Sequence, residues 1–263
     1  MASYAQPRSQ LLTQGPHLIG ATGGSGTRVI ARIVRHGGLF IGTRLNRSED
    51  AIDFGEFSDR WIDAFVGCEA EALPDSMHEE MIGDLQAVLD EHVAPLGGTA
   101  QPWGWKEPRS IYLLPFFHRQ FPGLKFLHVV RDGRDMAYSK NQNQLRKHGD
   151  SLLGPAEAGW SQPLRSMALW SRINLMRANY GEQNLQGQYL RIRFEDLCRE
   201  PVPTIQQVWD FFGLEDDAEA AARLEVTPPR SLGRWKTQDK ETVAELHRVG
   251  GPALERFGYW MPE

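Results

Sequence analysis

The sequence predicts an α/β fold in which a mainly parallel central sheet is flanked on both faces by helices. Three observations predict it. Short apolar runs recur along the 263 residues, each followed by a helix-like pattern, and parallel strands need such crossovers. Strands alternate with helices throughout, which argues for a parallel sheet covered on both faces. Hydrophobic residues make up 41% of the chain, enough for a sizeable core. The length suits one large domain or two small ones, and the unbroken alternation favours a single domain over 1–263.

The first run, Leu18-Ile19-Gly20-Ala21, is short enough for a buried strand. It enters Gly23, Gly24, Ser25 and Gly26. From Thr27 a helix begins, with Val29, Ile30, Ile33 and Val34 on one face. Strand, glycine-rich turn and helix point backbone N–H groups and a helix N-terminus at an anion. The alternative is an ordinary tight strand-to-helix turn. Gly26 is followed by Thr27 and Arg28, so the Lys-Ser/Thr pair of a kinase-type phosphate loop is missing. A phosphate loop without that apparatus suits a nucleotide whose transfer chemistry needs no metal.

Residues 39–42 read as a second short strand. The polar stretch 43–50 follows, where 48–50 could cap a helix. It could instead lie at the C-terminal edge of the sheet, where open α/β folds bind ligands. Asn46, Glu49, Asp50 and Asp53 are then candidates for a base. Residues 57–68 and 76–93 read as amphipathic helices, and the spacers 67–74 and 95–102 are places for an acceptor-specific lid. In Trp103-Gly104-Trp105-Lys106-Glu107-Pro108-Arg109-Ser110, a lysine at a strand end can donate to a developing anion. It could equally be a snorkelling surface lysine. Ser110 could cap a helix over 111–120.

Residues 124–130 form the clearest buried strand. Asp132 suits an N-cap, with Asp135 near the positive end of the following helix. Arg131 and Ser139 could converge on one phosphate, as donor fork and hydroxyl, or Arg131 could simply pair with an aspartate at the junction. Residues 149–163 read as a Gly/Pro/Ser-rich linker, either an ordered loop over the site or a mobile one. A helix over 163–180, a strand over 188–194, a helix over 203–212 closed by Gly213 and a helical segment over 239–257 complete the order. Between the last two, Arg230, Gly233, Arg234, Trp235 and Lys236 sit in a loop that could fold over an anionic ligand, or be solvated around one buried tryptophan. Trp61, Phe65 and Trp103 line an acceptor pocket or the core.

The net charge of -5 argues against a general nucleic-acid or membrane-surface binder. Cys68 and Cys198 are far apart and in no metal-ligand spacing, which suits a reduced, cytoplasmic protein. Residues 1–16 are polar, without a signal-peptide core, and are expected to be a flexible N-terminus. No apolar run approaches membrane-spanning length. The oligomeric state is not legible.

Together these stretches resemble the sulfotransferases that use 3′-phosphoadenosine 5′-phosphosulfate (PAPS), especially bacterial members, over residues 17–260. The most specific part is Phe126-Leu127-His128-Val129-Val130-Arg131-Asp132-Gly133-Arg134-Asp135, with Ser139 eight residues after Arg131. The resemblance implies a three-layer fold like that of P-loop nucleoside kinases. It implies that Arg131 and Ser139 hold the 3′-phosphate and that the loop Gly23, Gly24, Ser25, Gly26, Thr27 and Arg28 holds the 5′-phosphosulfate. Arg230, Gly233, Arg234, Trp235 and Lys236 match the C-terminal cofactor loop. The lysine or arginine that many members carry inside the first loop aligns with Gly24, so its role passes to Arg28 or to Lys106, which resembles the lysine of the family's K-x-P segment. Phe194 stands where a tyrosine commonly precedes E-D-L. The implied chemistry is metal-independent sulfuryl transfer to a hydroxyl or amine of a small-molecule or glycan acceptor, releasing 3′-phosphoadenosine 5′-phosphate (PAP). Asp50 and Asp53 are the candidate bases. The rivals are a small-molecule or nucleoside kinase and a non-catalytic PAP-binding module.

Overall fold

A computed structural model describes residues 15–67 and 73–260. Strands β1 (His17–Ala21), β2 (Gly104–Lys106), β3 (Lys125–Val130) and β4 (Tyr189–Arg193) form one sheet in the order β2-β1-β3-β4, with every pair parallel. The helices, in chain order, are α1 (Thr27–His36), α2 (Ile52–Gly67), α3 (Asp75–Val93), α4 (Leu114–Gln120), α5 (Gly133–Ala137) and α6 (Asn143–Leu152). Then come α7 (Gln162–Asn184), α8 (Phe194–Arg199), α9 (Pro201–Phe212), α10 (Ala218–Glu225) and α11 (Lys240–Arg256).

The register places Leu18 beside Phe126 and Ile19 beside Leu127. Successive residues of a strand point to opposite faces, so Leu18 and Phe126 enter one core with α2, α3 and α4. Ile19 and Leu127 enter a second core with α1, α9 and α10. Residues of α5, α7 and α11 build a third cluster around Met167 and Trp170. Burial on both faces is the reason β1 and β3 are mostly apolar, whereas the edge strand β4 alternates leucine and isoleucine with Arg191 and Arg193 and is mostly half-buried.

Several expectations are corrected. The second strand over 39–42 shrinks to an isolated parallel bridge between Phe40 and Trp103. Ser110 does not cap a helix. Glu107 caps a 3-10 turn, Pro108–Ile111, and the Ser110 hydroxyl accepts from Trp105 Nε1 at 2.9 Å. Residues 149–163 are not one linker: 149–152 end α6, 155–157 form a 3-10 turn and 162–163 begin α7. Of the two readings of Trp61, Phe65 and Trp103, the core is the one found: all are at most 4% exposed. Most of the N-terminal stretch 1–16, the middle of the 67–74 spacer and Cys68 lie outside the described residues.

Candidate active site

Four parallel strands put their C-terminal ends on one edge of the sheet. A cleft of about 780 Å³ opens there, and each strand end contributes to its lining. After β1 come Gly23, Gly24, Gly26, Thr27 and Arg28; after β2, Lys106, Glu107 and Arg109; after β3, Arg131; after β4, Phe194. The loop before α2 adds Asn46, Ser48 and Asp50.

The first loop is shaped by its glycines. Gly24 and Gly26 have φ of 88° and 84°, a region costly for residues with a Cβ. At Gly26 a Cβ would also stand 2.2 Å from the Phe194 ring. The ring that replaces the family's tyrosine therefore presses directly on the loop. Gly26 precedes α1 without a side-chain cap, which leaves first-turn N–H groups open to an anion. Arg28 is exposed on that turn and lines the cleft. Ser25 turns inward: its side chain is buried, and its hydroxyl donates to Thr22 O at 2.7 Å.

Arg131 is 5% exposed. Its Nη1 donates to Gly24 O at 3.3 Å and its Nη2 to Ser231 O at 2.9 Å and Ser231 Oγ at 3.0 Å. Its Nε is buried and has no partner among the described residues. Ser139 Oγ lies 3.4 Å from where a Cβ on Gly24 would stand, so Arg131 and Ser139 both reach the glycine loop. Ser139 Oγ itself accepts from Asn141 N at 3.2 Å.

Residues 231–237 are tied down beside this point. Asp135, 1% exposed, accepts from Gly233 N at 2.8 Å and from Trp235 N at 3.3 Å. Arg234 Nη1 donates to Tyr138 O at 3.1 Å, and the Trp235 ring stacks on the Arg134 guanidinium at 3.8 Å. Arg230 and Lys236 are exposed. Neither they nor Trp235 line the cleft.

Lys106 is 1% exposed; its Nζ donates to Ser48 O at 2.8 Å and forms an ion pair with Asp50. Asp50 also accepts from Asn46 Nδ2 at 2.9 Å. Asp53 is not brought to the cleft. It is buried against Arg44, with which it pairs. Glu49 pairs with Arg32 and Arg35.

Sequence reasoning passed over Glu107 and Arg109. Glu107 is 4% exposed, and its Oε1 accepts from Arg109 Nε at 2.7 Å. Burial pushes its carboxyl above the usual range, aided by the charge of Asp50 and opposed by Arg109. Arg109 also pairs with Asp59, which Lys147 Nζ approaches at 2.6 Å. The signal is a charged Lys-Glu-Pro-Arg run directly after two buried tryptophans, Trp103 and Trp105, in which the lysine alone stands out as a donor.

The chain matches the model of the sulfotransferase family over residues 9–218, and it belongs to that family. A provisionally named protein-tyrosine sulfotransferase of Caenorhabditis briggsae is 26% identical over 140 residues, covering 52% of this chain and 46% of that protein. The chain thus spans about half the length of the curated relatives it matches. The sulfotransferase of Alicyclobacillus acidocaldarius superposes with a TM-score of 0.55 at 16% identity, covering 92% of this chain and 94% of the other. A mouse sulfotransferase solved with PAP superposes at 0.51 and 14% identity, covering 97% and 94%. These likenesses establish the sulfotransferase fold. None of the described helices is long and apolar enough to cross a membrane.

Proposed function

We propose that the chain transfers a sulfuryl group from PAPS to a hydroxyl or amine of a small-molecule or glycan acceptor and releases PAP. The observation that carries this is Arg131, a buried guanidinium in the cleft with a donor unpartnered among the described residues, set against a glycine loop with an uncapped helix N-terminus. Charged donors without protein acceptors suit phosphate oxygens, so the residues present fit the nucleotide. When bound, PAPS supplies an activated sulfuryl group on a good leaving phosphate.

Arg131 and Ser139 hold the 3′-phosphate, and Gly23, Gly24, Ser25, Gly26 and Thr27 offer backbone N–H groups to the 5′ end. Arg28 and Lys106 stabilise the negative charge that grows on the departing phosphate. Asp50 and Asn46 fix Lys106 in place. Gly233, Arg234 and Trp235 hold residues 230–237, a strap over the site, against Asp135, Tyr138 and Arg134, and exposed Arg230 and Lys236 add positive charge near the nucleotide. Support for sulfuryl rather than phosphoryl transfer comes from Thr27-Arg28 after Gly26, where a kinase needs Lys-Ser/Thr.

Calorimetric titration with PAP tests this, run beside 5′-AMP and Mg-ATP and repeated with a chelator present. PAP is expected to bind tightly, to depend on its 3′-phosphate and to ignore the chelator. Arg131→Ala is expected to cost about 1.5–3 kcal/mol of PAP binding, roughly 10- to 150-fold in Kd. Preference for Mg-ATP over PAP would overturn the proposal.

A further inference from the structure

Four carboxylates among the described residues line the cleft, together with no histidine: Asp50, Glu56, Asp59 and Glu107. A base for the acceptor hydroxyl has to come from such a set. Asp50 is occupied by Lys106 and Asn46. Asp59 is clamped between Arg109 and Lys147. Glu56 is exposed on α2, with no hydrogen bond or ion pair among the described residues to aim it.

Glu107 differs from all three. It is buried at the tip of β2, one residue beyond Lys106. Both of its Arg109 contacts, from N at 3.3 Å and Nε at 2.7 Å, use Oε1. Oε2 has no hydrogen-bond partner among the described residues. It lies 3.7 Å from where a Cβ on Gly55 would stand, and Gly55 itself lines the cleft. One oxygen is anchored and the other faces the reaction space.

Resting on the sulfotransfer proposal, we infer that Glu107 is the general base: its anchored Oε1 aims Oε2 at the acceptor hydroxyl beside Lys106. Glu107 Oε2 takes the hydroxyl proton as the acceptor oxygen bonds to sulfur. The bond from sulfur to the phosphate oxygen breaks, and its electron pair leaves with PAP. Arg109 on its own turn, Lys106 on β2, Asp50 in the preceding loop, Glu56 and Asp59 on α2 and Lys147 on α6 are the charged groups around it. Burial and Asp50 raise its carboxyl and Arg109 opposes them, so it is a stronger base than a solvated glutamate. The rate then falls as pH drops through that raised value.

The test compares the chain with its Glu107→Gln variant at about pH 8, using PAPS with phenol, which is then still protonated, and with 4-nitrophenol, which is then largely ionised. Glu107→Gln is expected to slow transfer to phenol by roughly 10²- to 10⁴-fold and transfer to 4-nitrophenol far less. PAP affinity is expected to stay within about twofold, because the amide keeps the Arg109 anchor. An equal loss with both phenols, or an acid limb that survives in Glu107→Gln, overturns the assignment. A second readout needs no turnover. In protein labelled with ¹³C-glutamate, the carboxyl resonance lost in Glu107→Gln is expected to titrate above the ordinary glutamate value, and titration at the ordinary value overturns the assignment. If the wild-type chain bound no PAP, the sulfotransfer proposal would fail instead, and the titration would still read Glu107 by itself.

Discussion

Lys106 shows what a single residue can and cannot announce. A lysine between two tryptophans and a proline reads as unusual, and its amine is indeed buried. What the local sequence withholds is its partner. Asp50 lies 56 residues away and is delivered only because Ala51 N donates to Lys106 O at 2.9 Å, pinning the loop to the strand. A buried ammonium needs such a partner, since desolvation costs several kcal/mol. Lys106→Ala is expected to lower kcat by roughly 10²- to 10³-fold, as loss of an oxyanion donor does, while PAP affinity by calorimetry changes by less than about threefold. Near-normal turnover would remove Lys106 from the chemistry. Asp53 is the opposite case. Three residues from Asp50 and of the same chemistry, it starts α2 and meets Arg44 instead of the cleft.

At the scale of elements, the strand ends were legible and so was the strap, but its tether was not. Apolar runs closed by Gly23, Lys106, Arg131 and Phe194 mark where a parallel sheet delivers side chains to one edge. The cationic stretch 230–236 reads as a loop that folds over an anion. Its tether comes from Asp135, about 100 residues earlier, whose carboxylate accepts two strap N–H groups and lies 3.4 Å from Arg131 Nη2. Replacing one oxygen by an amide sets donor against donor. Asp135→Asn is therefore expected to loosen the strap by about 1–3 kcal/mol. Tryptic cleavage after Arg230, Arg234 and Lys236 should accelerate roughly 5- to 100-fold. Unchanged cleavage would mean that the Arg131–Ser231, Arg234–Tyr138 and Trp235–Arg134 contacts hold the strap without Asp135. The helical start of 149–163 has a similar cause. Gly149 and Ser151 suggest a break, yet Gly149 is buried within α6, and tertiary packing overrides weak propensity.

For the whole molecule, buried histidines couple folding to pH. His128 is fully buried between Tyr189 Oη at 2.7 Å and Asn174 Oδ1 at 2.8 Å, and burial pushes its pKa down to about 4. His17 stacks on Phe212 at 4.9 Å and is likewise pushed down to about 4, by burial and by Lys125. Unfolded histidine titrates near 6.5. Between about 6.5 and 4 the unfolded chain therefore binds more protons than the folded one. Stability from these rings is full above about 6.5 and is lost as pH falls, by roughly 2 kcal/mol per ring at pH 5. Urea midpoints at pH 7 and pH 5 measure this. His17→Phe keeps the stack and is expected to shrink the difference, and an equal pH dependence in both proteins would refute the role of His17.

By itself the sequence determined the parallel sheet, the glycine loop and Arg131 at a strand end, because each follows from contacts between near neighbours and from the periodicity of apolar residues. The tertiary structure alone decided that Asp50 faces Lys106, that Phe194 closes on Gly26, that Trp61 and Phe65 fill the core and that Glu107 keeps one oxygen toward the cleft. Those outcomes depend on which distant strands lie side by side, and a side chain's charge and burial are set by the neighbours that this pairing brings.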